Sequence, residues 1–294
     1  MTFDWLLLAE VSLAGLGTGG LYALTALAFV IIYKATRVVN LAIGEILMLG
    51  AYAFFGFTAT LALPWWAAAL GALAVAGVFG AVTERLVIRP MLGESPIAVF
   101  MVTVGLGSIL VGLVEILWTA DPRRLPEFMP ATPVFIGEAF LAPKIAYGFL
   151  VAAAVITVFM VLFRTWRGGV ALRATAGDRA AAYSVGINVP GVFSLAWVIA
   201  CVVAAGAGIL VGAIGGISST MGVFGLSVLV VVIVGGLDSV PGALVGGLLI
   251  GLIEALAGFY LGGEYKLLAT FSLLVAVLMV RPYGLFGTRE IERL

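Results

Sequence analysis

The sequence predicts an all-α fold, a polytopic transmembrane helical bundle of about eight to ten spans, on three observations. Hydrophobic residues make up 63% of the 294 and charged residues only 10%, whereas a water-soluble domain carries roughly a quarter charged. Mean hydropathy is +1.25. The apolar runs are also long and continuous, and a helix needs about 20 such residues to cross a hydrocarbon core about 30 Å thick. A closed barrel would instead require short alternating strands.

Taken in order, five runs fill the first half, over residues 5–33, 43–63, 65–86, 96–118 and 145–163. Runs over 192–213, 224–237, 243–261 and 267–280 follow, making nine crossings. The first run is long enough to begin with an interfacial turn before Gly15. The seventh is short for a span and is bracketed by Gly222, Gly225, Gly235 and Gly236. It therefore reads either as a crossing or as a re-entrant segment lining a pathway, as does the stretch from Asn40 to Gly44.

Charge position orients the bundle. Nine crossings with the C-terminus inside leave Lys34, Arg37, Arg85, Arg89, Arg164, Arg167, Arg173, Arg179, Arg281, Arg289 and Arg293 on one side and Arg123, Arg124, Lys144 and Lys266 on the other, eleven against four. Cationic residues concentrate in cytoplasmic loops, so the C-terminus is expected in the cytoplasm and the N-terminus outside. The opening residues hold Asp4 and Glu10 but no Lys or Arg, the wrong sign for a cleavable secretory signal, so the N-terminus is expected to be retained.

Thirty-nine glycines exceed what the short connections could use. Their four-residue spacings, Gly15/Gly19, Gly208/Gly212/Gly216, Gly242/Gly246, Gly247/Gly251 and Gly258/Gly262, put smooth stripes along helix faces, for packing within a subunit or between subunits.

Two longer connections remain. The outer loop, 119–144, carries Pro122, Pro126, Pro130, Pro133 and Pro143 and predicts an ordered, non-helical cap, a surface suited to a delivery protein. The inner loop, 164–191, contains a proline-free, alanine-rich stretch with Arg173, Asp178 and Arg179. This predicts one short amphipathic helix over 170–185, with Ala174, Ala181 and Val185 on a shared face and Gly186 ending it. Such a helix could dock another protein or rest on lipid headgroups.

Catalysis has little to work with. There is no His, the one cysteine is Cys201 within an apolar run, and no phosphate-cradling Gly-Lys loop occurs, so no triad, metal site, disulfide or intrinsic ATP hydrolysis is expected, and no cofactor. Fifteen basic and fifteen acidic residues cancel, giving no sign of a nucleic-acid partner. The informative ionisable groups are carboxylates within spans, because burying one is costly and such groups usually face the bundle interior. Four stand out: Glu10, Glu45, Glu115 and Glu254. Glu10 and Glu115 can snorkel to the outer interface. Glu254 is a helix-packing or pathway group, and Glu45, beside Asn40 and Gly44, is a charge partner for Lys34 or Arg37 or a gating group.

Several strings then look familiar together. They are Gly19-Gly20-Leu21-Tyr22-Ala23-Leu24, Val39-Asn40-Leu41-Ala42-Ile43-Gly44-Glu45 with Met48-Leu49-Gly50-Ala51-Tyr52, Thr103-Val104-Gly105-Leu106, Arg173-Ala174 to Gly186-Ile187-Asn188, Gly235-Gly236-Leu237 with Ser239-Val240-Pro241-Gly242-Ala243, and Arg281-Pro282-Tyr283-Gly284-Leu285-Phe286-Gly287. In this order, across nearly the whole chain, the sequence resembles the LivH-type permeases of branched-chain amino acid ABC importers.

The resemblance implies one permease domain over 1–294 in the bacterial inner membrane, working with a second homologous permease or a second copy, two cytoplasmic ATPases and an extracytoplasmic substrate-binding protein. It implies that the inner loop is the ATPase-coupling element, with Arg173, Asp178, Arg179, Ala181, Ala182 and Gly186 as its residues. The family pattern places an acidic residue where Ala180 stands, and a Phe and a His where Leu41 and Ile43 stand. Asn40, Gly44, Glu45 and Glu254 are the candidates for the translocation pathway or gate. Related substrates within the family are urea, amides and aromatic acids. Two readings from other classes are an ATP-independent small-solute channel and a secondary transporter with Glu45 or Glu254 as proton sites.

Overall fold

The computed structural model describes residues 5–288, so Asp4, Arg289 and Arg293 lie outside the described residues. Each predicted apolar run is a helix. In chain order these are α1 (Trp5–Thr36), α2 (Ile43–Phe55), α3 (Trp65–Thr83), α4 (Pro96–Trp118) and α5 (Pro143–Thr165), then, beyond two short helices of the inner loop, α8 (Val189–Gly215), α9 (Phe224–Gly235), α10 (Val240–Tyr260) and α11 (Tyr265–Val280). The loop helices are α6 (Arg167–Gly177) and α7 (Arg179–Ser184). Seven of the nine apolar helices are long enough to cross a membrane. The other two, α11 and α9 with the 3-10 turn Ser219–Val223 before it, are shorter.

The helices sort into a centre and a rim. α1 is buried almost continuously from Gly19 to Ile32 and packs most extensively against α10, then α8 and α5. α9 is short yet mostly buried, including Val228, Val230, Val231, Val232 and Val234, so it is an internal helix rather than a lipid-facing one. At the rim, α11 buries only Thr270, and α4 leaves Ile97, Met101, Ile109 and Ile116 exposed. Exposed apolar side chains of this kind suit a hydrocarbon solvent, in which burying Leu or Ile brings no hydrophobic gain.

The central helices approach as closely as glycine allows. Gly15 and Gly19 on α1 face Gly247 and Gly251 on α10, and a Cβ added at Gly19 would lie 2.7 Å from the Gly247 carbonyl oxygen. Between α2 and α8 the contact is tighter, with a Cβ at Gly208 falling 1.9 Å from the Leu47 carbonyl oxygen. Two members of the predicted stripes do other work. Gly216 caps α8 with a positive φ of 85°, and Gly262 ends the turn after α10 with a φ of 117°.

The outer loop contains a small antiparallel hairpin, β1 (Val134–Ile136) against β2 (Ala139–Leu141), closed by Gly137 and Glu138 with Gly137 at positive φ. An isolated bridge joins Arg123 to Ile217, at the α8–α9 connection. Phe140 donates its backbone N–H to Glu10 Oε1 at 2.9 Å, fastening the hairpin to α1.

The inner loop departs from the single helix predicted over 170–185. The chain breaks at Asp178, whose φ of −151° and ψ of 114° are extended, and its carboxylate accepts the Ala181 N–H at 3.0 Å as the N-cap of α7. Aspartate is among the strongest N-caps, so it starts a new helix where alanine content alone would have continued the old one. The break re-aims the face: Ala182 is buried, while Ala181 and Val185 point outward and Ala174 is partly covered.

Candidate functional site

The segment between α1 and α2 is where the irregular backbone lies. Arg37 adopts a φ of 57°, and the chain is irregular from there to the turn at Leu41 and Ala42 before α2 begins. Asn40 is fully buried. Its Oδ1 accepts the Ala42 N–H at 3.0 Å, and its Nδ2 has no partner among the described residues. Leu41 donates its N–H to Thr103 Oγ1 on α4 at 3.2 Å, so the strings around Asn40 and Thr103, far apart in sequence, meet here.

Glu45 follows, in the first turn of α2. It faces a cleft of about 270 Å³ between α2, α4 and the start of α9, lined by Leu41, Thr103, Val104, Ser108 and Leu226 among others. Glycine makes room for its carboxylate on two sides: a Cβ at Gly107 would lie 3.2 Å from Oε2 and one at Gly222 would lie 2.6 Å from Oε1. Gly44 fits against Gly222 and Gly225, where a Cβ would meet the Gly222 carbonyl oxygen at 2.3 Å. The charge pair with Lys34 or Arg37 considered from sequence does not form. Lys34 donates to the Asp238 carbonyl at 2.9 Å instead, and Arg37 lies on a separate groove with Met91, Glu94 and Arg179.

Of the other carboxylates, Glu115 is exposed on α4, and three are satisfied by hydrogen bonds. Glu254, in α10, accepts from Tyr22 Oη at 2.5 Å and Thr270 Oγ1 at 2.8 Å, joining α1, α10 and α11 at one buried point. Glu10 takes the hairpin N–H described above. Glu84, which sequence reasoning passed over, is fully buried at the end of α3, accepts two hydrogen bonds from Arg89 at 3.0 and 2.9 Å, and accepts a third from Ser194 on α8 at 2.5 Å. Its partner is five residues on because α3 continues into a π turn, Glu84–Ile88. Among the described residues, Glu45 receives no hydrogen bond or ion pair from another residue, which sets it apart from these three.

The inner loop forms a second assembly. Arg173 donates to the carbonyls of Phe163 and Arg164, closing the end of α5, and its guanidinium stands 5.4 Å from the Phe163 ring centroid. Arg179 lies 5.3 Å from the Phe193 centroid on α8. Burial first, and the charge of Arg37 second, push the Arg179 pKa below its usual range, although arginine remains charged under physiological conditions. Ala182 anchors α7 against the bundle, and Gly186 reverses the chain at a φ of 85°. What remains outward is Ala180, Ala181, Tyr183 and Val185, the last two 72% and 76% exposed. The α9–α10 turn and the tail also meet, since Leu285 and Phe286 donate to the carbonyls of Val234 and Gly235.

Nine apolar helices around a glycine-packed centre, with a partnerless carboxylate in an intramembrane cleft and a small outward loop, define a polytopic membrane transport protein. The fold is similar across 97% of this chain and 95% of the other to a chain of "PsaBC from Streptococcus pneumoniae in complex with Fab", at a TM-score of 0.52 and 13% identity. Residues 11–280 match the family model described as branched-chain amino acid transport system / permease component. The chain is 30% identical over its full length to the whole high-affinity branched-chain amino acid transport system permease protein LivH of Escherichia coli K12, and 31% identical to BraD of Pseudomonas aeruginosa PAO1 over 95% of both chains. A probable branched-chain amino acid transport permease protein of Methanocaldococcus jannaschii is 27% identical over 93% of this chain. The chain belongs to this permease family, whose members are transport subunits rather than enzymes.

Proposed function

We propose that this chain, as a single permease domain over residues 1–294, moves branched-chain or closely related amino acids across the cytoplasmic membrane. Its partners would be a second homologous permease or a second copy, two cytoplasmic ATPases and an extracytoplasmic binding protein. The names of its relatives support the substrate class, and the eleven-to-four distribution of basic residues supports a cytoplasmic C-terminus.

One observation carries the route. Glu45 opens outward from the bundle within a span, into a cleft otherwise walled mainly by apolar groups and glycine. A carboxylate within a span is disfavoured against lipid and usually faces a bundle interior or a water-filled cavity. The surface of α2, α4 and α9 is therefore read as turned toward water and the second permease, with substrate passing between the two. Asn40 and Gly44 shape the turn that presents Glu45, and Glu254 serves as a packing hub beside the route.

The inner loop, 164–191, is read as the coupling element. Arg173, Asp178, Arg179, Ala182 and Gly186 fix its shape, and Ala181 sits with Tyr183 and Val185 on the surface offered to an ATPase. Alternating access follows: nucleotide-driven movement of the ATPases shifts α6–α7, and the helices at the permease interface reopen toward the other side.

The test is ATP-driven leucine uptake by the complete complex in proteoliposomes. Ala181→Trp and Tyr183→Asp are expected to cut uptake at least about tenfold, since each disrupts a small, well-packed contact, while leaving the bundle folded because both residues are exposed. Undiminished uptake in both variants would remove the loop from the mechanism. Uptake by this chain alone, without ATP, would establish a channel instead.

A further inference from the structure

We propose that Glu45 is the contact for the ammonium group of the substrate as it crosses, so that this permease has its own cation-selective station instead of relying wholly on an external binding protein. The inference rests on the reading that the α2–α4–α9 cleft lies on the route.

Three features carry it. The carboxylate has no partner from another described residue, whereas Glu84 and Glu254 in the same bundle accept three and two side-chain hydrogen bonds respectively. A carboxylate that no protein donor occupies, in a partly buried cleft, is free to accept from a solute. Next, the cradle is built for the carboxylate, because a Cβ at Gly107 or Gly222 would crowd it and glycine at both removes the obstruction.

The third feature is the chemistry of the remaining wall. Among the described residues the cleft holds no second charged group, and Leu41, Val104, Val111 and Leu226 supply aliphatic surface beside the carboxylate, with the Ser108 hydroxyl at the edge. Its volume of about 270 Å³ lies near the lower end of the range for small-molecule sites, about 300–1,000 Å³. A negative oxygen pair beside aliphatic surface suits a solute with an ammonium head and an apolar body. Among the described residues the cleft has no cationic side chain for the solute's own carboxylate, which is left toward water or the second permease. This asymmetry fits a transit contact that grips one end of the solute and lets go.

The experiment uses the complete complex in nanodiscs, with Cys201→Ala removing the chain's single, buried cysteine and Ser108→Cys, or separately Leu226→Cys, placing a thiol in the cleft. The probes are the cationic 2-(trimethylammonio)ethyl and the anionic 2-sulfonatoethyl methanethiosulfonates, each rate divided by that with a free thiol. The cationic reagent is expected to react at least about tenfold faster, the lower end of what a charged, low-dielectric cleft gives in on-rate. Glu45→Gln is expected to bring the ratio close to one and to reduce leucine uptake to a similar degree, with binding-protein-stimulated ATP hydrolysis retained, and Glu45→Asp is expected to restore the preference.

Outcomes separate the two layers of the argument. Thiols that react with no charge preference, or with one that Glu45→Gln leaves unchanged, overturn the ammonium contact while the route stands. Thiols at both positions that neither reagent reaches, with and without nucleotide, overturn the route and the contact with it. A preference that Glu45→Gln abolishes without lowering leucine uptake shows a charged cleft that the substrate does not use, and overturns the proposal.

Discussion

At the scale of single residues, the buried carboxylates divide by what they touch. Glu254 links Tyr22 and Thr270, and Tyr22 in turn stacks on Phe224 with centroids 4.8 Å apart, so one acceptor fixes α1, α10 and α11 near α9. Glu254→Leu strands two hydroxyls in an apolar setting, each costing about 1–3 kcal/mol. It is expected to lower the unfolding midpoint of the purified protein clearly, while Glu254→Gln, which keeps an acceptor, is expected to lower it less. The portion that stays folded is expected to transport at nearly the normal rate per molecule, and a loss of specific transport without loss of stability would move Glu254 into the pathway. From sequence, both Glu254 and Glu45 are open to a packing or a pathway role, Glu45 with Lys34 or Arg37 as a possible charge partner. Their difference lies about 230 and 180 residues away respectively, in the hydroxyl of Tyr22 that bonds Glu254 and in Gly222, whose missing side chain leaves room beside Glu45, and no local pattern reveals either. Glu84 escaped notice for another reason, since its arginine stands at a five-residue spacing that ordinary helical pairing rules do not search.

For the helices, the solvent determined what was readable. Every apolar run became a helix because an unsatisfied backbone group in hydrocarbon costs several kcal/mol, and that penalty leaves composition little freedom. Where water or partners take over, the reading weakened. The hairpin over 134–141 had its signal in Gly137-Glu138 between two apolar triplets, a pattern typical of two-residue turns, obscured by the surrounding prolines. The division of the inner loop had its signal in Gly177-Asp178, a stop followed by a cap. Glycine stripes were legible as packing surfaces, yet which helix they met was not, and the contacts now predict opposite signs at two glycines. Gly208→Ala drives a methyl group into the Leu47 carbonyl, and overpacking of this kind costs about 1–3 kcal/mol. Gly105→Ala on the open face of α4, where a Cβ meets nothing within 4 Å, is expected to be neutral or to stabilise by up to about 1 kcal/mol through helix propensity. Thermal unfolding of the two variants side by side checks both, and equal midpoints would refute the close α2–α8 packing.

Across the whole molecule, α1 is the longest of the described helices. Its 32 residues span about 48 Å at about 1.5 Å per residue, more than a hydrocarbon core, and no proline interrupts it. One end receives the outer hairpin through Glu10 and Phe140, and the other presents Lys34 to Asp238 at the α9–α10 turn. Glu10→Ala removes a charge-assisted bond worth about 1 kcal/mol at an exposed site, so the Phe140 amide is expected to exchange with deuterium roughly fivefold faster, with little change elsewhere. Unaltered exchange would mean that the hairpin is held by other contacts. Mechanically, a continuous helix resists compression along its axis far better than a chain of hinged segments, so any axial shift imposed at the hairpin is expected to carry along α1 to Lys34, beside the loop that bears Arg173.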